Sequence, residues 1–239
     1  SSVRSDEIGA APLAWATDAV LDWFGVTIAG SREPLSHILA ETMGEEGAGP
    51  ARLVGRTAAL SALNAALVNG AASHALDYDD VNSRMMGHPT VPLVPALLAI
   101  ADTQPVSGRA FLDAFVVGYE AEVLTAEMVG ASHYDRGWHM TATVGTVGAA
   151  AASARLLGLD AEQTAHALGG EWTAGGPAGE KGHDLSDRCH RVRAGACRYP
   201  VRRFLPGRDD QRRQSRFRRG GQSLQVSRGL LSDPLADRG

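Results

Sequence analysis

Apolar residues recur every three or four positions through most of residues 1–172, which is the spacing of one face of an amphipathic helix. No stretch alternates between apolar and polar residues as a half-buried strand would, apart from a brief extended piece over 51–54. The pattern predicts helices over 11–29, from just after Glu33 to about 43, and over 58–74, 92–101, 107–130, 141–157 and 161–168. We therefore predict an all-α packing of about seven helices.

Two of these helices have features that fix their place in the fold. The helix over 107–130 follows Ser107, a favourable N-cap, and has an aromatic or apolar residue every fourth position from Phe111 to Val123. The helix over 141–157 consists mostly of Ala, Gly, Thr, Val and Ser, whose small side chains let another backbone approach. We expect it to be central and buried. Asp160 and Gln163 predict a capping box at the start of the last helix.

Charge divides the chain of 239 residues into two parts. Residues 1–175 carry eight arginines and twenty acidic residues, a net charge of −12, whereas 176–239 carry fourteen arginines and one lysine against seven acidic residues. The second part has few apolar residues and no helical periodicity, so it is not expected to form a core alone. We predict a helical domain over 1–172 and an irregular, arginine-rich segment over 173–239.

Apolar runs in this sequence are shorter than the roughly 20 residues that a membrane-spanning helix needs. The first nine residues also lack the basic and then apolar pattern of a secretory leader. Cys189 and Cys197 are the two cysteines, and their spacing suits neither a disulfide framework nor a zinc site. We expect a soluble, cytoplasmic protein without a metal.

Three carboxylates lie within four residues after the helix over 58–74, at Asp77, Asp79 and Asp80. Like charges at this spacing gain by sharing a proton, a cation or a hydrogen-bond donor, which favours a position beside a cleft. If the segment is helical, Asp77 and Asp80 share a face and Asp79 points away. His88 adds a group that titrates near neutral pH. An acidic, solvated loop that ends the helix is the alternative, and the ligand spacing of a calcium loop is missing.

Two further polar positions stand out. His139 follows Gly137 directly before the helix over 141–157, so we expect it in the first helical turn, where a neutral imidazole can take part in proton transfer. A histidine that only caps this turn is the alternative. Glu120 falls on a largely apolar face between Val116 and Val123, and we expect a structural pairing with an arginine or a backbone donor.

Six segments together resemble the N-terminal helical domain of the MmgE/PrpD family, which includes 2-methylcitrate dehydratase, cis-aconitate decarboxylase and an iminodisuccinate epimerase. The resemblance covers about residues 1–172. The segments are His74-Ala-Leu-Asp77-Tyr-Asp79-Asp80, Gly87-His88-Pro89-Thr90, Val94 to Asp102, Gly118-Tyr119-Glu120, Gly137-Trp138-His139 and Leu156 to Thr164.

The resemblance implies a lyase or isomerase that needs no metal or organic cofactor and acts on a small di- or tricarboxylate. The expected chemistry is proton transfer at a carbon next to a carboxylate, coupled to loss of water, loss of carbon dioxide or epimerisation. By motif, Asp77, His88 and His139 match family active-site positions, and we expect Asp80 and Arg84 to contribute to substrate binding. Val81 stands where the family often has Thr. This difference removes a hydroxyl donor, so the identity of the substrate stays open. Relatives are typically homodimers, and we expect the same here.

The positive groups that such a substrate requires are scarce, because residues 1–175 contain no lysine. In the family they come from downstream segments and from a second, α+β domain, which is not recognisable here. A shifted reading frame from about residue 173 is our hypothesis for the arginine-rich segment. The alternatives are a noncatalytic helical scaffold or dimerisation unit and a basic nucleic-acid-binding tail, although no known nucleic-acid-binding motif is present.

Overall fold

The computed structural model describes residues 4–175, and the side chains of residues 4–169. The predicted arginine-rich segment, its two cysteines and the reading-frame hypothesis concern residues that lie outside this range, apart from residues 173–175.

Helices dominate the described chain, which confirms the predicted all-α fold class. In chain order they are α1 (Ala10–Gly30), α2 (Pro34–Gly44), α3 (Ala62–His74), α4 (Thr90–Ala101), α5 (Gly108–Val129), α6 (Ala131–Asp135), α7 (Met140–Leu157) and α8 (Ala161–Gly175). A single 3₁₀ turn, Ser5–Glu7, precedes α1.

Two elements differ from the sequence prediction at their ends. Residues Ala59–Leu60 form a short strand β2 that pairs antiparallel with β1, Ala51–Arg52, so α3 begins at Ala62 and not at residue 58. Ser61 separates the strand from the helix and caps it, because its Oγ accepts a hydrogen bond from the Asn64 backbone N–H at 3.3 Å. Helix α8 continues through Gly169 and Gly170 to Gly175, since glycine weakens a helix without breaking it.

Helix α7 lies at the centre, packed against α4, α5 and α8, as the small-residue pattern predicts. Its contact with α5 is the most extensive between any two described helices. Glycines make this close approach possible, because a Cβ added at Gly118 would lie 2.8 Å from the Gly148 carbonyl oxygen and 2.7 Å from the Ala152 Cβ. Helix α3 packs between α1, α2 and α4, so its C-terminal end lies within the bundle.

The predicted helix caps are present. The Ser107 Oγ accepts a hydrogen bond from the Ala110 N–H at 3.1 Å. Asp160 and Gln163 form the reciprocal pair of a capping box, with bonds of 2.8 and 3.0 Å. Among the described helices, none is both long and apolar enough to cross a membrane.

Candidate active site

The turn that follows α3 carries the acidic motif. Helix α3 ends at His74, and the chain is not helical over Asp77–Asp80. Asp77 adopts a left-handed backbone conformation, with φ of 54°, which Asp tolerates better than most residues. This turn leaves the Asp77 side chain 79% exposed and places the Asp79 side chain in the interior, 0% exposed. The segment is not helical, so the helical arrangement in which Asp77 and Asp80 share a face and Asp79 points away does not apply.

His88 is held in place by contacts from both sides of its loop. An isolated antiparallel bridge between Asn82 and Gly87 closes the loop before it. The His88 backbone N–H donates a hydrogen bond to the Thr141 Oγ1 at 3.0 Å, which ties the segment to the first turn of α7. Gly87 permits this approach, because a Cβ there would lie 3.0 Å from the same hydroxyl oxygen.

Two imidazoles share the buried carboxylate. The His74 Nδ1 is hydrogen-bonded to Asp79, at 2.9 Å from Oδ2 and 3.1 Å from Oδ1. The His88 Nδ1 also lies 2.9 Å from the Asp79 Oδ2, although at an angle outside that of a hydrogen bond. The two rings meet edge to face with centroids 4.7 Å apart. Asp79 is therefore the centre of the cluster.

The predicted catalytic residues come together around this centre. The His88 Nε2 lies 3.5 Å from the Asp77 Oδ1. The His139 ring centroid is 6.1 Å from that of His74, so His74 links His139 to the rest. His139 is the N-cap residue of α7 and not part of its first turn, and its side chain makes no capping hydrogen bond. We refer to His74, Asp77, Asp79, His88 and His139 as the imidazole cluster.

The two residues predicted to bind substrate have other contacts. Asp80 accepts hydrogen bonds from the Thr90 backbone N–H, at 3.1 Å, and from the Thr90 hydroxyl, which fixes the start of α4. Arg84 donates from Nε to the Glu127 Oε1 on α5 at 2.8 Å, and its backbone N–H donates to the Asn82 Oδ1. Neither side chain has a hydrogen bond to the imidazole cluster in the described structure.

Carboxylates crowd this end of the bundle and influence one another. Burial raises the pKa of Asp80 to about 6 against the hydrogen bonds from Thr90, and the charges of Asp79 and Asp22 act in the same direction as burial. Burial, and then the charge of Asp79, also raises the pKa of Asp22 on α1. The carboxylates at this end of the bundle therefore oppose one another's ionisation.

Four members of the cluster have the donor set of a metal site. His74, Asp77, Asp79 and His88 each present one ligand atom, and these atoms lie within 4.8 Å of one another. Imidazole and carboxylate donors suit zinc and other first-row divalent metals. The expectation that the protein works without a metal stays a prediction.

Sequence reasoning did not single out two residues, the half-buried His74 and the fully buried Glu122. His74 was part of the motif but was not singled out, although its position five residues before Asp79 at a helix end was the available signal. On α5, Glu120 is half-buried; burial raises its pKa, and the charge of Arg84 opposes this. The fully buried carboxyl is Glu122, 0% exposed, and neither of its oxygens has a hydrogen-bond partner among the described residues.

Comparison with known proteins identifies the family of the domain. The model of the MmgE/PrpD N-terminal domain matches residues 1–201, which extends past residue 172, where the sequence analysis ended the resemblance. The matched residues make up most of the chain, and its described part is mostly helical. The chain belongs to the MmgE/PrpD family.

Its curated relatives include cis-aconitate decarboxylases. The cis-aconitate decarboxylase-like protein oryM of Aspergillus oryzae is 34% identical over 178 residues, which is 71% of this chain and 37% of that protein. Cis-aconitate decarboxylase of Aspergillus terreus is 29% identical over 176 residues, 71% of this chain and 36% of that protein. The human cis-aconitate decarboxylase is 36% identical over 109 residues. The chain thus spans little more than a third of the length of the relatives it matches most extensively.

Proposed function

We propose that this chain carries the proton-transfer half of a lyase or isomerase site that acts on a small di- or tricarboxylate. Membership of the family, with its decarboxylase relatives, supports the lyase class. The observation that carries the proposal is that Asp77, His88 and His139, from two loops and a helix start, belong to one cluster. Asp77 lies 3.5 Å from His88, and the His139 ring centroid lies 6.1 Å from that of His74, which shares the buried Asp79 carboxylate with His88.

The chemistry follows from the groups present. Removing a proton next to a carboxylate needs a base within hydrogen-bond reach of that carbon and groups that stabilise the enolate-like charge that develops. His88, His139 and Asp77 are the candidate bases. His88 combines a largely buried ring, with its side chain 15% exposed, and a neighbouring carboxylate that fixes its orientation. His139 is exposed, with its ring centroid 6.1 Å from that of His74, and can bind or protonate the substrate.

The described residues do not supply enough positive charge to bind a polyanion alone. Residues 1–175 contain no lysine, and the guanidinium of Arg84 is engaged by Glu127 at 2.7 Å. Protonated imidazoles can neutralise part of the substrate charge. Further cations must come from the remainder of the chain or from another polypeptide, and we propose that turnover depends on them.

The test is an assay of the 239-residue chain with cis-aconitate, 2-methylcitrate and iminodisuccinate. We expect turnover of at least one substrate, and a loss of kcat/KM on the order of 10²- to 10⁴-fold in His88→Ala, the range for losing a general acid or base. His166→Ala is the matched control, because that side chain is 82% exposed on α8. Full activity in His88→Ala, or no turnover by the wild-type chain with any of the three, refutes the proposal.

A noncatalytic helical dimerisation unit is the second candidate. It is favoured by large apolar side chains that are exposed on α1 and α3, such as Leu21, Leu63 and Leu67. Each chain has a mass of 25.0 kDa, and under this candidate the mass in solution is that of two chains, without turnover. Light scattering after size exclusion, run beside the substrate assay, separates the two candidates, because a dimer with turnover is the outcome for the enzyme.

A further inference from the structure

Asp79 is placed as the shared anchor of two histidines. Its Oδ2 lies 2.9 Å from the Nδ1 of His74 and 2.9 Å from the Nδ1 of His88, so each ring approaches the carboxylate through its own Nδ1. The Asp79 side chain is 0% exposed, so water does not satisfy this carboxylate. A buried carboxylate without a donor is strongly destabilising. Among the described residues the His74 Nδ1 is hydrogen-bonded to it, and the His88 Nδ1 contacts it at the same distance outside hydrogen-bond geometry.

The chemistry of the carboxylate dictates which nitrogen carries the proton. An ionised carboxylate only accepts hydrogen bonds, so the His74 Nδ1, which is hydrogen-bonded to it, carries the hydrogen. The His88 Nδ1 makes no hydrogen bond, but a lone pair 2.9 Å from the carboxylate oxygen is repelled and an N–H is attracted, which favours the hydrogen on Nδ1 there as well. In a neutral imidazole the other nitrogen, Nε2, then has a free lone pair. This is the role that a buried carboxylate plays in a Ser-His-Asp triad, where it fixes the tautomer and orientation of the base.

Two carboxylates flank the His88 ring, and they attract its proton with unequal strength. The Asp77 Oδ1 lies 3.5 Å from the Nε2 and belongs to a side chain that is 79% exposed, whereas Asp79 is closer and fully buried. Electrostatic attraction is stronger at the shorter distance and where water is excluded. Asp79 therefore decides the tautomer, and the Nε2 of His88 is directed toward the exposed side, where a substrate could enter.

We propose that Asp79 is a positioning residue that holds His74 and His88 in the Nδ1–H tautomer and leaves both Nε2 atoms free to accept a proton. This deepens the proposed function, on which its kinetic consequence rests, but the tautomers can be measured without any turnover.

The direct test is long-range ¹H–¹⁵N correlation NMR of the full chain, labelled with ¹⁵N-histidine, at a mildly alkaline pH. Signals of His74 and His88 are assigned from His74→Gln and His88→Gln, which each remove one ring among the eight histidines. We expect both rings to show a protonated Nδ1 and an unprotonated Nε2. A protonated Nε2 on either ring in the wild-type chain overturns the proposal.

Asp79→Asn extends the test to the carboxylate itself. The amide oxygen of this variant still accepts hydrogen bonds, but an NH2 donor replaces one of the two carboxylate oxygens that the His74 Nδ1 contacts at 2.9 and 3.1 Å. That donor needs an acceptor, so we expect at least His74 to change towards the Nε2–H tautomer. Glu162→Gln is the matched control, because Glu162 lies 3.9 Å from His166 with both side chains largely exposed, and no change at the cluster is expected. Unchanged tautomers at His74 and His88 in folded Asp79→Asn overturn the proposal. If this variant does not fold, the wild-type tautomers decide.

Turnover supplies a second readout. With a substrate that the wild-type chain converts, we expect Asp79→Asn to lower kcat by about 10²- to 10⁴-fold and to change KM far less, because the buried carboxylate does not reach the substrate. A variant that raises KM at unchanged kcat contradicts a positioning role. If the wild-type chain converts no substrate, the proposed function fails, and the tautomer measurement still decides the role of Asp79.

Discussion

Adding one methyl group to Gly118 tests the close packing of α5 against α7. In Gly118→Ala, the new Cβ would lie 2.7 Å from the Ala152 Cβ, 2.8 Å from the Gly148 carbonyl oxygen and 2.9 Å from the Leu93 Cδ2. One of these atoms belongs to the backbone of α7, so a change of rotamer cannot remove all three contacts and the helices must move apart.

The size of the effect follows from two opposing contributions. Overpacking of a core costs about 1–3 kcal/mol, and three short contacts favour the upper end. Replacing glycine by alanine within a helix contributes about 1 kcal/mol in the other direction. We therefore expect Gly118→Ala to lower the free energy of unfolding by about 2 kcal/mol, or the melting temperature by roughly 4–8 °C at this chain length.

Gly25→Ala is the matched control, because Gly25 lies within α1 with no atom within 4 Å of an added Cβ. The same substitution there is expected to raise stability by about 1 kcal/mol. Urea unfolding followed by far-ultraviolet circular dichroism measures both variants. Ala152→Gly removes one of these contacts, so it should cost less stability in the Gly118→Ala background than in the wild-type chain. If Gly118→Ala is as stable as the wild-type chain, the account of the α5 and α7 contact is wrong.

Three further predictions concern the buried carboxyls and the imidazole cluster. Burial raises the pKa of Asp80 to about 6, so its contribution to stability is complete below about pH 4 and falls as the pH rises through 6, by at most about 3 kcal/mol. Urea unfolding at several pH values should show this dependence reduced in Asp80→Asn, and an equal slope in both proteins contradicts it. Burial likewise raises the pKa of Glu122, so Glu122→Gln is expected to gain stability over the wild-type chain with rising pH. The packing of this side chain against Gly148 should not change, because Gln has nearly the same volume as Glu. Dialysis against a chelator is expected to leave turnover and the melting temperature unchanged, and a loss restored by zinc would instead assign a metal to His74, Asp79 and their neighbours.

Helices could be located from the sequence wherever periodicity was strong. Helix α5 was placed correctly from the spacing of Phe111 to Val123 and the cap at Ser107. Helix α3 was started too early, since the pairing of Ala59–Leu60 with Ala51–Arg52 depends on a neighbouring strand that local propensity does not report. Hydrophobic periodicity alone therefore could not predict the two short strands.

The candidate site was predictable in its composition but not in its centre. The motif identified Asp77, His88 and His139, and the structure brings them together. The central role of Asp79 did not follow from helical spacing, because the chain leaves the helix at His74 and Asp77 adopts a positive φ. On α5, Glu122 lies seven residues after buried Phe115 and four before buried Ala126, a signal that was available in the sequence.

The hydrogen bond from the His88 backbone to Thr141 joins segments that are more than fifty positions apart along the chain. The reactive geometry therefore exists only after α7 has docked, whereas each helix can form earlier. An acid-expanded or molten globule form of this protein would retain much of its helical signal and still have lost the arrangement of its imidazoles. For this domain, helicity is an insufficient criterion for an assembled site, and histidine resonances are the better reporter of the native state.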